Sequence, residues 1–68
     1  MVYYDMKGRG IEPGARIRHV GGEELLVVTG PGGELGAQSS DAGYRPLSLF
    51  VTGPAVLGKP VLWEWEVQ

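Results

Sequence analysis

Arg16-Ile17-Arg18-His19-Val20, then Gly21-Gly22, then Glu23-Glu24 and Leu25-Leu26-Val27-Val28-Thr29, reads as a strand, a turn and a second strand without interruption. In the first strand, alternation places Ile17 and His19 on one face and Arg16, Arg18 and Val20 on the other. A glycine pair between two such runs is a hairpin signal, and Glu23-Glu24 extends the turn. The second strand is apolar throughout. That predicts burial on both faces, as in a small closed barrel.

Val28-Thr29-Gly30-Pro31 recurs as Val51-Thr52-Gly53-Pro54, and Leu-Gly follows each copy, at Leu35-Gly36 and Leu57-Gly58. Both copies read as strand stops. Pro31-Gly32 suits a type II turn and Pro54-Ala55 a type I turn. Gly30 to Gly43 reads as the longest connection, a flexible flap, because loops of this length are often functional. Tyr44 to Val51 reads as a strand, with Pro46 near its start. Thr52 to Pro60 is a second loop, in which Val56 and Leu57 make a single helical turn. Val61 to Gln68 is the last strand; Trp63, Trp65 and Val67 share one face, and Leu62, Glu64 and Glu66 the other.

Upstream of the hairpin, Glu12-Pro13-Gly14 reads as a turn, with Gly14 free to take the positive φ of type II. Val2 to Met6 is a first strand, with residues 1–10 frayed or at a sheet edge. Twelve glycines and five prolines punctuate these runs, and no long segment shows a 3.6-residue apolar period. The expectation is an all-β chain.

Sixty-eight residues make a single domain, residues 1–68. A domain of this size buries only about 60% of its unfolded surface, so self-association is an expected additional source of stability. There is no cysteine and one histidine. Disulfides and thiolate sites are excluded, and neither a metal nor a cofactor is expected. The net charge of −2 argues against a nonspecific nucleic-acid coat. The longest apolar run, Leu25 to Val28, is far short of a membrane span, so no membrane partner is expected. Met1 to Gly10 lacks the apolar core of an export signal, which makes the cytoplasm the expected compartment.

Catalytic constellations are poorly represented. His19 has no nucleophile in a suitable local context, and a strand histidine bonded to its neighbours is the simpler reading. Glu23-Glu24 diverge in a turn, while Glu64 and Glu66 share a solvated face; neither resembles a converging acid–base pair. The glycine strings at Lys7-Gly8-Arg9-Gly10 and Gly30-Pro31-Gly32-Gly33 lack the Gly-Lys-Ser/Thr spacing of a phosphate loop. Arg16, Arg18 and Arg45 with Tyr44 would form a small cationic patch suited to a carboxylate, a phosphate or a base stack. Trp63 and Trp65 are too large for both to be buried, so one is expected at an interface or groove.

The order from residue 11 to 51 is similar to that of a known group. A Pro-Gly turn leads to Arg16-Ile17-Arg18-His19-Val20, a glycine turn, an apolar strand, a loop and Tyr44-Arg45-Pro46-Leu47-Ser48-Leu49-Phe50. This resembles short uncharacterised bacterial and phage domains and, more broadly, the small SH3-like barrels. The resemblance implies a barrel of four to five antiparallel strands; it implies no activity and carries over no functional residues. The chain departs from it in its glycine-rich loop and its Trp-Glu-Trp-Glu ending. The expected function is noncatalytic binding of a protein partner, with self-association. The binding residues would be Arg16, Arg18, His19, Tyr44, Arg45, Trp63 and Trp65. The alternative is a nucleic-acid adaptor using the same arginines and aromatics.

Overall fold

The structure, a computed structural model, describes residues 2–39, 41 and 43–68. Among these residues it is all-β, with eight strands in two sheets rather than one closed barrel. The strands are β1 (Tyr3–Asp5), β2 (Gly10–Ile11), β3 (Arg16–His19), β4 (Glu24–Thr29), β5 (Leu35–Ser39), β6 (Gly43–Pro46), β7 (Val61–Leu62) and β8 (Trp65–Val67). A 3₁₀ turn, Leu47–Phe50, follows β6. The large sheet has the order β6-β5-β4-β3-β8 and is antiparallel throughout. The small sheet has the order β2-β1-β7, and its β1–β7 pair is parallel.

One turn design recurs three times. Gly8 N donates to Asp5 O, Gly22 N to His19 O and Gly33 N to Gly30 O, at 2.8–3.0 Å. The fourth residue of each turn is a glycine with φ between +84° and +103°. An i-to-i+3 turn followed by a left-handed glycine supplies the twist that antiparallel strands need, and a side chain there would be strained. The glycine pair at Gly21-Gly22 therefore makes the expected hairpin, with Val20 inside the turn. In the next hairpin Gly33, not Gly32, takes the positive φ, so the expected type II turn at Pro31-Gly32 does not form. At Glu12–Ala15 the type II expectation holds: Ala15 N donates to Glu12 O at 3.1 Å and Gly14 has φ +91°.

The core contains Ile11, Ile17, Leu25, Val27, Ala37, Leu47, Phe50, Leu62 and Trp65. β4 buries only Leu25 and Val27; Leu26 faces solvent, contrary to the expected two-sided burial. The chain exposes 4191 Å², against about 4,200 Å² expected for a monomer of its 7.3 kDa mass. It closes its core without a partner.

Four further expectations are corrected. The Gly30–Gly43 connection is not a flap, because Leu35–Ser39 pairs with both β4 and β6. Ala37 is small enough to fit the core, and Gly36 lies beneath the Tyr44 ring, where a Cβ would collide with it. Tyr44 to Val51 is not one strand. Leu47 and Phe50, three apart in a 3₁₀ turn, both reach the core because that spacing eclipses side chains. The second Val-Thr-Gly-Pro consequently follows a turn and stops no strand. Finally, Tyr3–Asp5 is not an edge strand: β1 is the central strand of its sheet, with β2 at the edge.

A buried carboxylate joins the sheets. Asp5 is fully buried. Its Oδ1 accepts from the backbone N–H groups of Lys7 and Arg9, and its Oδ2 from Val67 N, at 2.8–2.9 Å, and from Arg9 Nε at 3.2 Å. Burial pushes the carboxyl pKa up, but the Val67, Arg9 and Lys7 N–H groups and the Arg9 charge outweigh it. The net displacement is downward, and Asp5 is held ionised.

Candidate binding surface

The expected patch of Arg16, Arg18, Tyr44 and Arg45 assembles only in part: Arg16 and Arg45 line one open groove of about 680 Å³ with Glu23, Glu24, Leu26 and Gln38, and Arg18 and Tyr44 stand outside it. Arg16 and Arg18 lie on the outer face of the large sheet, and Arg16, Leu26, Gln38 and Tyr44 form one row across four strands. Two strands therefore separate Arg16 from Tyr44. Arg18 donates from Nε and Nη2 to Glu24 Oε2 at 3.0 and 2.6 Å. Tyr44 donates to Glu34 Oε1 at 2.9 Å. Desolvation, that hydrogen bond and the Glu34 charge raise the phenol pKa above its ordinary value. Arg45, the next residue on β6, points to the opposite face, where its guanidinium sits 5.1 Å from the Phe50 ring centroid and 3.8 Å from Glu23. Among the described residues Arg16 is the arginine that makes no ion pair.

His19, Arg45 and Trp65 do come together. With Glu23, Leu49, Phe50, Thr52 and Glu64 they line an open groove of about 260 Å³. Its floor is aromatic: Trp65 meets His19 edge-on at 4.9 Å and Phe50 at 5.2 Å. The Gly21 N–H donates to His19 Nδ1 at 2.9 Å, which leaves the ring proton on Nε2, facing Glu64 Oε1 at 3.3 Å. Leu49 stands on the rim, 66% exposed.

Trp63 lies elsewhere, since Val61 to Gln68 is not one strand. β7 and β8 are separated by a turn at Trp63-Glu64, and the break sends Trp63 and Trp65 to different surfaces. It also turns Leu62 into the core and not toward the Glu64 and Glu66 side. The Trp63 ring covers Gly53, and its Nε1 donates to Pro54 O at 2.8 Å. One tryptophan buried and one partly exposed is the outcome that the small volume of the domain required.

Around Trp63 the surface is apolar. Tyr4, Met6, Val56, Leu57, Val61 and Trp63 border a groove of about 320 Å³, and Lys59 stands over the Tyr4 ring at 5.1 Å. Val56 and Lys59 exchange backbone hydrogen bonds of 3.1 and 2.9 Å, closing a two-residue hairpin. Leu57 has φ +52° and Gly58 φ +77°, the type I′ geometry, so the expected helical turn is absent. Leu57 is 91% exposed. The first central position of such a turn favours asparagine, aspartate or glycine. A leucine in the left-handed region costs about 1–2 kcal/mol. Here it gains no burial in return.

Leu57, Val56, Met6 and Tyr4 were not among the residues expected to bind. The signal was present: Leu57-Gly58 between Val56 and Lys59 is an X-Gly hairpin dipeptide, with leucine at a position that suits asparagine.

Among the described residues, no group of three or more histidine, cysteine or acidic side chains is placed to hold a metal. No helix there is long and apolar enough to cross a membrane. Comparison with family models, with curated proteins and with solved structures finds no match to this chain.

Proposed function

We propose that this chain is a noncatalytic protein-binding module on an SH3-like framework, and that the Leu57 hairpin with Trp63 is its contact surface. The strand order supports the framework: a four-strand antiparallel meander, β3 to β6, a 3₁₀ turn, and a last strand returning to pair with the first. A single observation carries the contact surface. An almost fully exposed leucine occupies backbone geometry that disfavours it. Strain of this kind persists where the side chain is needed for something other than the fold. Met6, Val56 and Trp63 extend the apolar area around the tip, where tryptophan is favoured at contacts.

The nucleic-acid reading has less support. Arg18 and Arg45 are engaged with Glu24, Glu23 and Phe50, and Leu26 and Gln38 stand between Arg16 and Tyr44, the aromatic of its row.

The test is Leu57→Asn. Asparagine accepts the left-handed geometry, so thermal unfolding should show a gain of about 1 kcal/mol. Capture of protein partners by the immobilised chain should be lost in the same variant. Partner capture equal to that of the parent chain would remove the lobe as the contact surface.

A further inference from the structure

We propose that the chain pairs with a second copy of itself, the Leu57 hairpin of each protomer entering the His19–Phe50–Trp65 groove of the other. The inference rests on reading the Leu57 lobe as a contact surface and adds the identity of its occupant. Three observations carry it.

The first is shape. One chain presents both a protruding apolar tip and an open groove, in which exposed Leu49 stands above the buried Phe50 and Trp65 rings within an otherwise polar lining. The second is charge. Among the described residues Lys59, at the end of the tip hairpin, stands over the Tyr4 ring and makes no ion pair, while Glu64 borders the groove beside a Glu23 already paired with Arg45. Docking the tip brings the Lys59 cation to the Glu64 carboxylate. The third is placement. Trp63 belongs to the lobe and Glu64 to the groove, so the two surfaces flank a single turn. A two-fold axis beside that turn lets each protomer insert its tip into its partner, the self-complementary pattern of an isologous dimer.

Because the core is closed within one chain, the exposed residues of this contact can be changed without unfolding it. Sedimentation equilibrium on the whole chain tests the pairing, with near-UV circular dichroism verifying the fold of each variant. The parent chain should be a dimer and Leu57→Asp a monomer. Lys59→Glu and Glu64→Lys should each weaken the dimer by about tenfold, the scale of a close interfacial charge pair. The double variant Lys59→Glu/Glu64→Lys should recover most of that loss, which no merely structural role predicts.

A parent chain monomeric up to about 1 mM overturns the pairing, as does a dimer indifferent to Leu57→Asp or a double variant no tighter than the singles. A monomeric parent whose capture of another protein is still abolished by Leu57→Asn would overturn self-pairing alone and leave the binding lobe standing. Capture unaffected by Leu57→Asn would remove the lobe itself.

Discussion

The large sheet and the small lobe are held together by different means. In β6-β5-β4-β3-β8, most neighbours are adjacent in sequence, joined by tight turns and zipped by backbone ladders. In the lobe of β2-β1-β7 and residues 51–60, strands are two or three residues long, and β1 meets β7 across nearly the whole chain. Side chains supplement these short ladders. The Asp5 carboxylate gathers three backbone N–H groups, and the Trp63 indole pins Pro54. The sheet therefore spreads its stability over many ladder bonds, whereas the lobe adds to a few of them the side-chain bonds of Asp5 and Trp63.

Asp5→Ala should show the largest effect. It leaves three backbone N–H groups and the Arg9 Nε–H without their acceptor, at a cost of about 3 kcal/mol or more, although Arg9 keeps its Nη2 bond to Glu66. A chain of this length holds about 3–10 kcal/mol in total, so urea titration should find about a third of its stability or more removed. The same carboxylate makes the parent acid-sensitive. Its folded pKa lies below the unfolded value, so its stabilisation is complete above about pH 4 and disappears as pH falls through the folded value. Asp5→Asn should flatten stability against pH in that window; an unchanged slope would show that another group governs the acid transition.

Gly36→Ala probes the sheet at its closest approach. A methyl group there meets the Tyr44 ring and the Arg45 carbonyl, and backbone cannot yield as a side-chain tip does. The expected loss is about 1–3 kcal/mol, measured by thermal unfolding, with Gln38 and Ala37 amides exchanging faster. A loss confined to the β5–β6 hairpin would sharpen the contrast, because the lobe should not notice.

Trp63→Phe should have the smallest effect, about 1 kcal/mol, from losing the hydrogen bond to Pro54 while keeping an aromatic over Gly53. Hydrogen exchange in residues 51–60 is the sensitive readout. If exchange there is unchanged, the indole is not the pin and the lobe is held by packing alone.

The β3–β4 hairpin was legible because each signal in it is local: alternation in Arg16–His19, a glycine pair, then an apolar run. The Glu12–Ala15 turn was legible for the same reason. β5 was not, since Leu35-Gly36-Ala37-Gln38-Ser39 contains no β-branched residue; its composition answers to Tyr44 above it and the core below. Of the candidate site, His19, Arg45 and Trp65 share one groove and Arg16 and Arg45 another, whereas Tyr44 is separated from Arg45 because the two alternate across β6. The chain by itself determined an all-β domain, its central hairpin and the places where it must turn. Tertiary structure decided what the repeated Leu-Gly became. At Leu35-Gly36, two neighbouring strands and an overlying ring draw it into the sheet. At Leu57-Gly58, with only Val56 and Lys59 to pair across it, the same dipeptide is a turn whose leucine faces water.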